Sequence, residues 1–140
     1  MSVDINWLAV LAGTVSSVVI GMVWYSPNVW GNKWMKAINM TPKQAEAKQM
    51  NGMIAAMVRA LVLSFALFHI IYVTAAFYAD SSFLANALGV GAWVSIGIVS
   101  ITLIMHDTFE QRSLFATKIH VGYEIISIMT SALLIGLIAG

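Results

Sequence analysis

Four stretches of this chain stay apolar for long enough to cross a lipid bilayer, near residues 7–26, 53–79, 83–105 and 119–139. About 20 mostly apolar residues span a hydrocarbon core of roughly 30 Å, so four such runs leave little of a 140-residue chain for anything else. Inside hydrocarbon each backbone N–H and C=O must be paired within the protein, and a run without strand alternation does this as a helix. The predicted fold is therefore all-α: a polytopic membrane protein in which residues 1–140 form a single domain of four transmembrane helices. Composition points the same way, with 60% hydrophobic and 9% charged residues, too oily for a soluble domain of this size. The chain has no cysteine, which excludes disulfides and thiolate metal ligation. A net charge of +1 without a clustered basic surface argues against nucleic acid as a partner. The first apolar run is preceded by Asp4 and by no Lys or Arg, so it is expected to be a retained span rather than a cleavable signal.

Charge fixes the expected orientation. Lys33, Lys36, Lys43 and Lys48 lie between the first two runs, Arg59 just inside the second, and Arg112 and Lys118 between the last two. All of these fall on one side of a four-span layout, whereas the opposite loop offers Asp80. By the positive-inside rule the basic side is cytoplasmic, which places both termini on the non-cytoplasmic side, in a membrane expected to be a bacterial inner membrane.

Along the chain, Gly13, Ser17 and Gly21 recur every four residues in the first helix, a small-residue stripe that lets another helix approach closely. The helix ends in Trp24 and Tyr25, residues suited to the membrane–water interface, and Ser26-Pro27 reads as a cap followed by a new helical start. From 27 to 40, Trp30, Trp34 and Ile38 repeat every four residues beside Lys33 and Lys36, which predicts a short amphipathic interfacial helix with Trp24, Tyr25, Trp30 and Trp34 as anchors. Thr41-Pro42 with Gln44 resembles a capping box that leads into the second span, where Gly52 marks a potential kink. In the third span Gly91, Ser95, Thr102 and His106 are expected on one face, followed by a polar linker over 106–118. In the fourth, a polar face runs from His120, Tyr123 and Glu124 through Ser127 and Ser131.

Ionised groups inside hydrocarbon cost several kcal/mol unless paired or hydrated, which singles out Arg59 and Glu124. Each lies roughly 6 residues, or about 9 Å, inside its helix from the basic end, so a salt bridge between the second and fourth helices is geometrically sensible. With His106, Asp107, His120 and Tyr123 they form a candidate polar cluster. A static clamp fixing helix register is the plainest use of such a pair; a proton relay and a metal site on His106, His120 and Glu124 are sharper ones, but a two-histidine, one-carboxylate set is generic and neither a metal nor another cofactor is expected. His69, alone in the second helix, reads as a hydrogen-bonded structural histidine. The nine methionines are scattered and read as adaptable packing rather than as a copper path. No phosphate-binding glycine loop, HExxH or GxSxG motif is present.

The pattern as a whole resembles a family of small bacterial membrane proteins catalogued as domain of unknown function 1761. The resemblance is carried by Asn6-Trp7, by Trp24-Tyr25-Ser26-Pro27 with Gly31 and Trp34 after it, and by Phe109-Glu110-x-Arg112 followed by Gly122-Tyr123. It covers nearly the whole chain and implies four transmembrane helices; it implies no activity, ligand or catalytic residue.

Three uses of the polar cluster follow. The leading expectation is a homo-oligomer that moves a proton, ion or small solute along Arg59, His106, His120 and Glu124, the small residues of the first and third helices providing association faces. The alternative is a non-catalytic subunit or scaffold locked by a dry ion pair, its protein partner unknown. The third is a lipid-acting enzyme, which requires a cavity open sideways to the acyl chains near His106 and His120. Lipid is the one partner common to all three.

Overall fold

The computed structural model describes residues 3–140. The first helix, α1 (Trp7–Trp24), starts where the Asn6 side chain accepts from the Ala9 amide at 3.1 Å, and the Asn6 amide also donates to the Ile138 carbonyl at 3.4 Å. The chain leaves α1 through a wide π turn, Pro27–Gly31, and a short helix α2 (Asn32–Ala37). In that turn the Gly31 amide donates to Ser26 O at 2.9 Å, and Gly31 is buried so tightly that a Cβ on it would stand 2.8 Å from the same oxygen. Only glycine fits this closure, which explains the spacing between Ser26-Pro27 and Gly31. The helix α2 ends in a left-handed residue, Asn39 at φ 55°, with Met40 N donating to Met35 O at 2.9 Å, a Schellman termination.

The second span, α3 (Pro42–Phe77), begins in the expected capping box of Thr41 and Gln44 and is helical through Gly52. Its 36 residues amount to roughly 54 Å, well beyond a hydrocarbon core, so its first turns run past the bilayer and are exposed. The third span is built of α4 (Phe83–Ala92), a π-helical segment Trp93–Ser100 and α5 (Ile101–Phe109). The fourth, α6 (Leu114–Ala139), begins five residues earlier than expected, and α5 runs past 105, so the polar linker over 106–118 contracts to Glu110–Ser113. Among the described residues, four helices are thus long and apolar enough to cross a membrane.

The most buried of these is α6, which packs against α1, α3 and both halves of the third span, while α1 also packs on α3 and α3 on α4. Leu67, Phe68, Ile71, Val10, Ile128 and Ile135 form a sealed apolar core toward the end opposite the lysines. Of the small residues expected to serve association, Gly13, Gly21 and Gly91 are packed within the chain, whereas Gly89 and Gly97 meet no other helix. A Cβ on Gly13 would meet Ser64 and Ser131, one on Gly21 would meet the Tyr123 ring, and one on Gly91 would meet Ala132 and Met129.

The expected single face of the third span is split. Gly91 and Ser95 are buried in the bundle, whereas Thr102 and His106 are exposed toward a groove. The intervening π turns hold more residues per turn than an α-helix, which rotates everything after them relative to the 3.6-residue register.

Candidate functional site

The second and third spans pack together at α4 and stand apart toward the lysine-bearing end, leaving a groove of about 660 Å³ with α6 as its floor. Its walls are Val62, Leu63 and Ala66 from α3 and Ile98, Val99 and Leu103 from the third span. Arg59, His106, His120 and Glu124 line it together with Thr102. The groove is therefore apolar along its length and polar where Arg59, His106, His120 and Glu124 converge from three spans.

Arg59 Nη2 donates to Glu124 Oε2 across the interface of α3 and α6. The two partners differ in setting: the Arg59 side chain is 37% exposed, the Glu124 side chain 6%. His120 lies one turn before Glu124 with Nε2 3.9 Å from Oε1, and its side chain is 36% exposed. His106 is more open, its Nε2 3.3 Å from Glu110 Oε1. The more exposed groups lining the groove are basic or imidazole, whereas Glu124, which also lines it, is sealed beneath Arg59.

Two members of the expected cluster point elsewhere. Asp107 is buried at the bend between α5 and α6, where Thr117 Oγ1 donates to Oδ2 at 2.8 Å and Arg112 Nε stands 3.7 Å from Oδ1. Arg112 Nε also donates to Glu110 Oε2 at 2.7 Å. The bend is closed by a second Schellman termination, with Gln111 left-handed at φ 54° and Arg112 N donating to Asp107 O at 2.9 Å. Phe109-Glu110-x-Arg112 is thus the sequence of a helix reversal whose side chains brace it. Phe109 itself is exposed.

Tyr123 turns toward α1, its hydroxyl 3.4 Å from Ser17 O and its ring edge-on to Tyr25 at 5.4 Å. Beside it, Trp24 Nε1 donates to Ile119 O at 3.0 Å, and a Cβ on Gly122 would stand 3.1 Å from the Trp24 ring. Trp24-Tyr25 therefore meets Gly122-Tyr123 pairwise, one large ring over a glycine and one edge against another ring. Trp30 and Trp34 extend this clasp, tilted against Trp24 at 6.2 Å and edge-on to Tyr25 at 5.4 Å. The four aromatic anchors are half-buried against each other and α6.

His69 meets the structural expectation, its Nδ1 2.8 Å from Phe65 O one turn earlier. Among the described residues, His106, Asp107 and Glu110 bring potential metal-ligand atoms within 4.8 Å of one another, a different set from His106, His120 and Glu124. Arg112 bridges two of the three, so the place a cation would take already holds a guanidinium. Thr102, placed by the sequence on the His106 face but outside the expected cluster, lines the groove, and the buried Ser64 hydroxyl has no counterpart in the sequence reading.

Four apolar spans, an ion pair between two of them and a groove beside it define a small helical integral membrane protein. The chain belongs to the family described as "Protein of unknown function (DUF1761)", whose model matches residues 8–136. Neither a curated protein nor a solved structure matches it.

Proposed function

We infer that the protein binds a membrane-dissolved amphiphile in the groove between its second and third spans. The observation that carries this reading is the groove's composition: apolar side chains along its length, and Arg59, His106 and His120 at the end nearest the lysine-bearing loops. An acyl or isoprenoid-like tail matches the walls formed by Val62, Leu63, Ala66, Ile98, Val99 and Leu103. An acidic, acceptor-rich head group matches the Arg59 and histidine side chains, because Glu124, the carboxylate that lines the groove, is 4% exposed, and Glu110, beside His106, is held by Arg112. By the positive-inside rule that end faces the cytoplasm, so the head group is drawn from the cytoplasmic leaflet.

A photoactivatable acidic phospholipid in proteoliposomes tests this. Cross-links are expected on Ile98–Leu103 and Val62–Ala66, and Ala66→Trp, which fills the groove, is expected to lower them several-fold. Labelling spread evenly over all four spans, unchanged by Ala66→Trp, would overturn the reading.

A second reading, transport of a proton or small solute by a homo-oligomer, rests on the same four polar residues. Since Leu67, Phe68, Ile71 and Ile128 fill the bundle beyond them, its path would run between protomers rather than through one. A flux in proteoliposomes that Glu124→Gln abolishes, with lipid cross-linking unaltered, would favour it.

A further inference from the structure

The polar end of the groove holds an excess of carboxylate. Glu124 is bonded to Arg59, while Asp107, Glu110 and Arg112 close the bend beside His106. Two guanidiniums, Arg59 and Arg112, thus stand among three carboxylates, Asp107, Glu110 and Glu124, a formal charge of minus one while both imidazoles are neutral. Lys118 is exposed and, two residues before His120, lies on a different face of α6. An acidic head group entering the groove therefore meets a site whose sign depends on His106 and His120.

The two rings sit where the excess is felt. His106 Nε2 is 3.3 Å from Glu110 Oε1 and its Nδ1 is 4.0 Å from Asp107 Oδ1, so each ring nitrogen has a carboxylate oxygen as its neighbour. A neutral imidazole has one N–H to offer and an imidazolium two. His120 Nε2 is 3.9 Å from Glu124 Oε1, the oxygen that Arg59 leaves free by bonding to Oε2. That distance is too long for a hydrogen bond but close enough for attraction once the ring is charged. The other charges acting on His120 are Arg59 from α3 and Asp107 and Arg112 from the α5–α6 bend. Tyr25, at the end of α1, approaches Glu124 as a phenol, with Tyr123 edge-on to it, and phenols carry no charge near neutrality. Both histidines line the groove, with side chains 60% and 36% exposed, so protons and a ligand reach them alike.

On the reading that the groove holds an acidic amphiphile, we propose that this ligand binds together with protons, His106 and His120 becoming charged as its head group enters. A proton on His106 cancels the excess carboxylate at the bend, and a proton on His120 turns the polar end to plus one. The site then repels an anionic head group above the histidine range and attracts it below, within apolar walls that concentrate the field. A charged His120 meets Glu124 through one nitrogen and keeps its second N–H for a head-group oxygen. The coupling is reciprocal: a bound anion favours protons on the rings as much as the protons favour the anion. The matching ligand is one that stays anionic while imidazoles become charged, as a phosphodiester does.

Photo-cross-linking in proteoliposomes at about pH 5.5 and about pH 8, either side of the ordinary histidine range, tests this. Photoactivatable phosphatidylglycerol, whose phosphodiester keeps one negative charge throughout, is expected to label Ile98–Leu103 and Val62–Ala66 several-fold more at the lower pH, and its zwitterionic choline counterpart to show no such gain. His106→Gln combined with His120→Gln is expected to hold phosphatidylglycerol labelling at the high-pH level under both conditions, whereas His120→Arg, charged under both, is expected to raise it at about pH 8. Groove labelling that is equal at the two pH values would overturn the proton coupling while leaving the groove as a lipid site. A pH dependence that survives the double substitution would overturn it as well. Labelling spread evenly over all four spans under both conditions would remove the groove reading itself, and the coupling with it.

Discussion

Arg59 and Glu124 are bonded across two spans yet inhabit different surroundings, the guanidinium reaching into the groove and the carboxylate sealed beneath it. Their loss should therefore not be equivalent. Arg59→Met strands an ionised or forcibly neutralised carboxyl in a dry interior, a loss of about 2–4 kcal/mol. Glu124→Gln keeps a hydrogen-bond acceptor and leaves Arg59 able to turn into the groove, at a cost of about 1 kcal/mol. Unfolding of each variant in bicelles is expected to rank Arg59→Met clearly below Glu124→Gln; the reverse order would mean that the guanidinium, not the carboxylate, is the trapped charge.

Gly31 should tolerate no side chain. Because a Cβ there would meet Ser26 O at 2.8 Å, Gly31→Ala must open the π turn that leads out of α1, costing about 1–3 kcal/mol as overpacking does elsewhere. Gly52, around which nothing lies within 4 Å, is the matched control: Gly52→Ala is expected to be neutral or to stabilise by up to about 1 kcal/mol through helix propensity. Thermal denaturation of the two variants side by side checks the contrast.

Gln111 is the opposite case, a side chain where glycine would be easier. Its φ of 54° lies in the left-handed region, so Gln111→Gly is expected to raise stability by about 0.5–1 kcal/mol, provided the Schellman bonds persist. A fall in melting temperature would show that the Gln111 side chain holds a contact worth more than its backbone strain.

Thr117 anchors the buried Asp107. Thr117→Val removes the hydroxyl donor at 2.8 Å while nearly preserving shape, and should cost about 1–3 kcal/mol, whereas Thr117→Ser retains the bond and should cost less. Hydrogen exchange of the amides in Glu110–Ser113 is expected to speed up in the first variant only.

The reach of sequence reasoning can be judged from particular residues. Apolar length alone located all four spans, and the Thr41–Gln44 capping box was readable because a cap is a local pattern. The start of α6 falls earlier than the sequence suggests because Ser113, Thr117 and Lys118 look like linker, although at a membrane surface polar residues extend a helix without penalty. Adjacent polar residues misled more seriously. His106 and Asp107, and likewise Tyr123 and Glu124, are neighbours in sequence but about 100° apart around a helix, so one of each pair faces the groove and the other does not. The π segment leaves no mark, since Trp93–Ser100 is apolar except for Ser95 and Ser100, too few polar residues to set a register.

That segment also makes the third span unusually sensitive to length. Within Trp93–Ser100 the chain accommodates more residues than an α-helix would over the same rise, so the excision of one residue, Gly97 for instance, lets the turns relax to regular α-helix without shortening the span. Thr102 and His106 would then swing by up to about 100° out of the groove, while Gly91 and Ser95 keep their seats against the bundle. A single-codon insertion or deletion here acts as a rotary setting on half a helix, redrawing one wall of the groove while the hydrophobicity of the sequence barely changes.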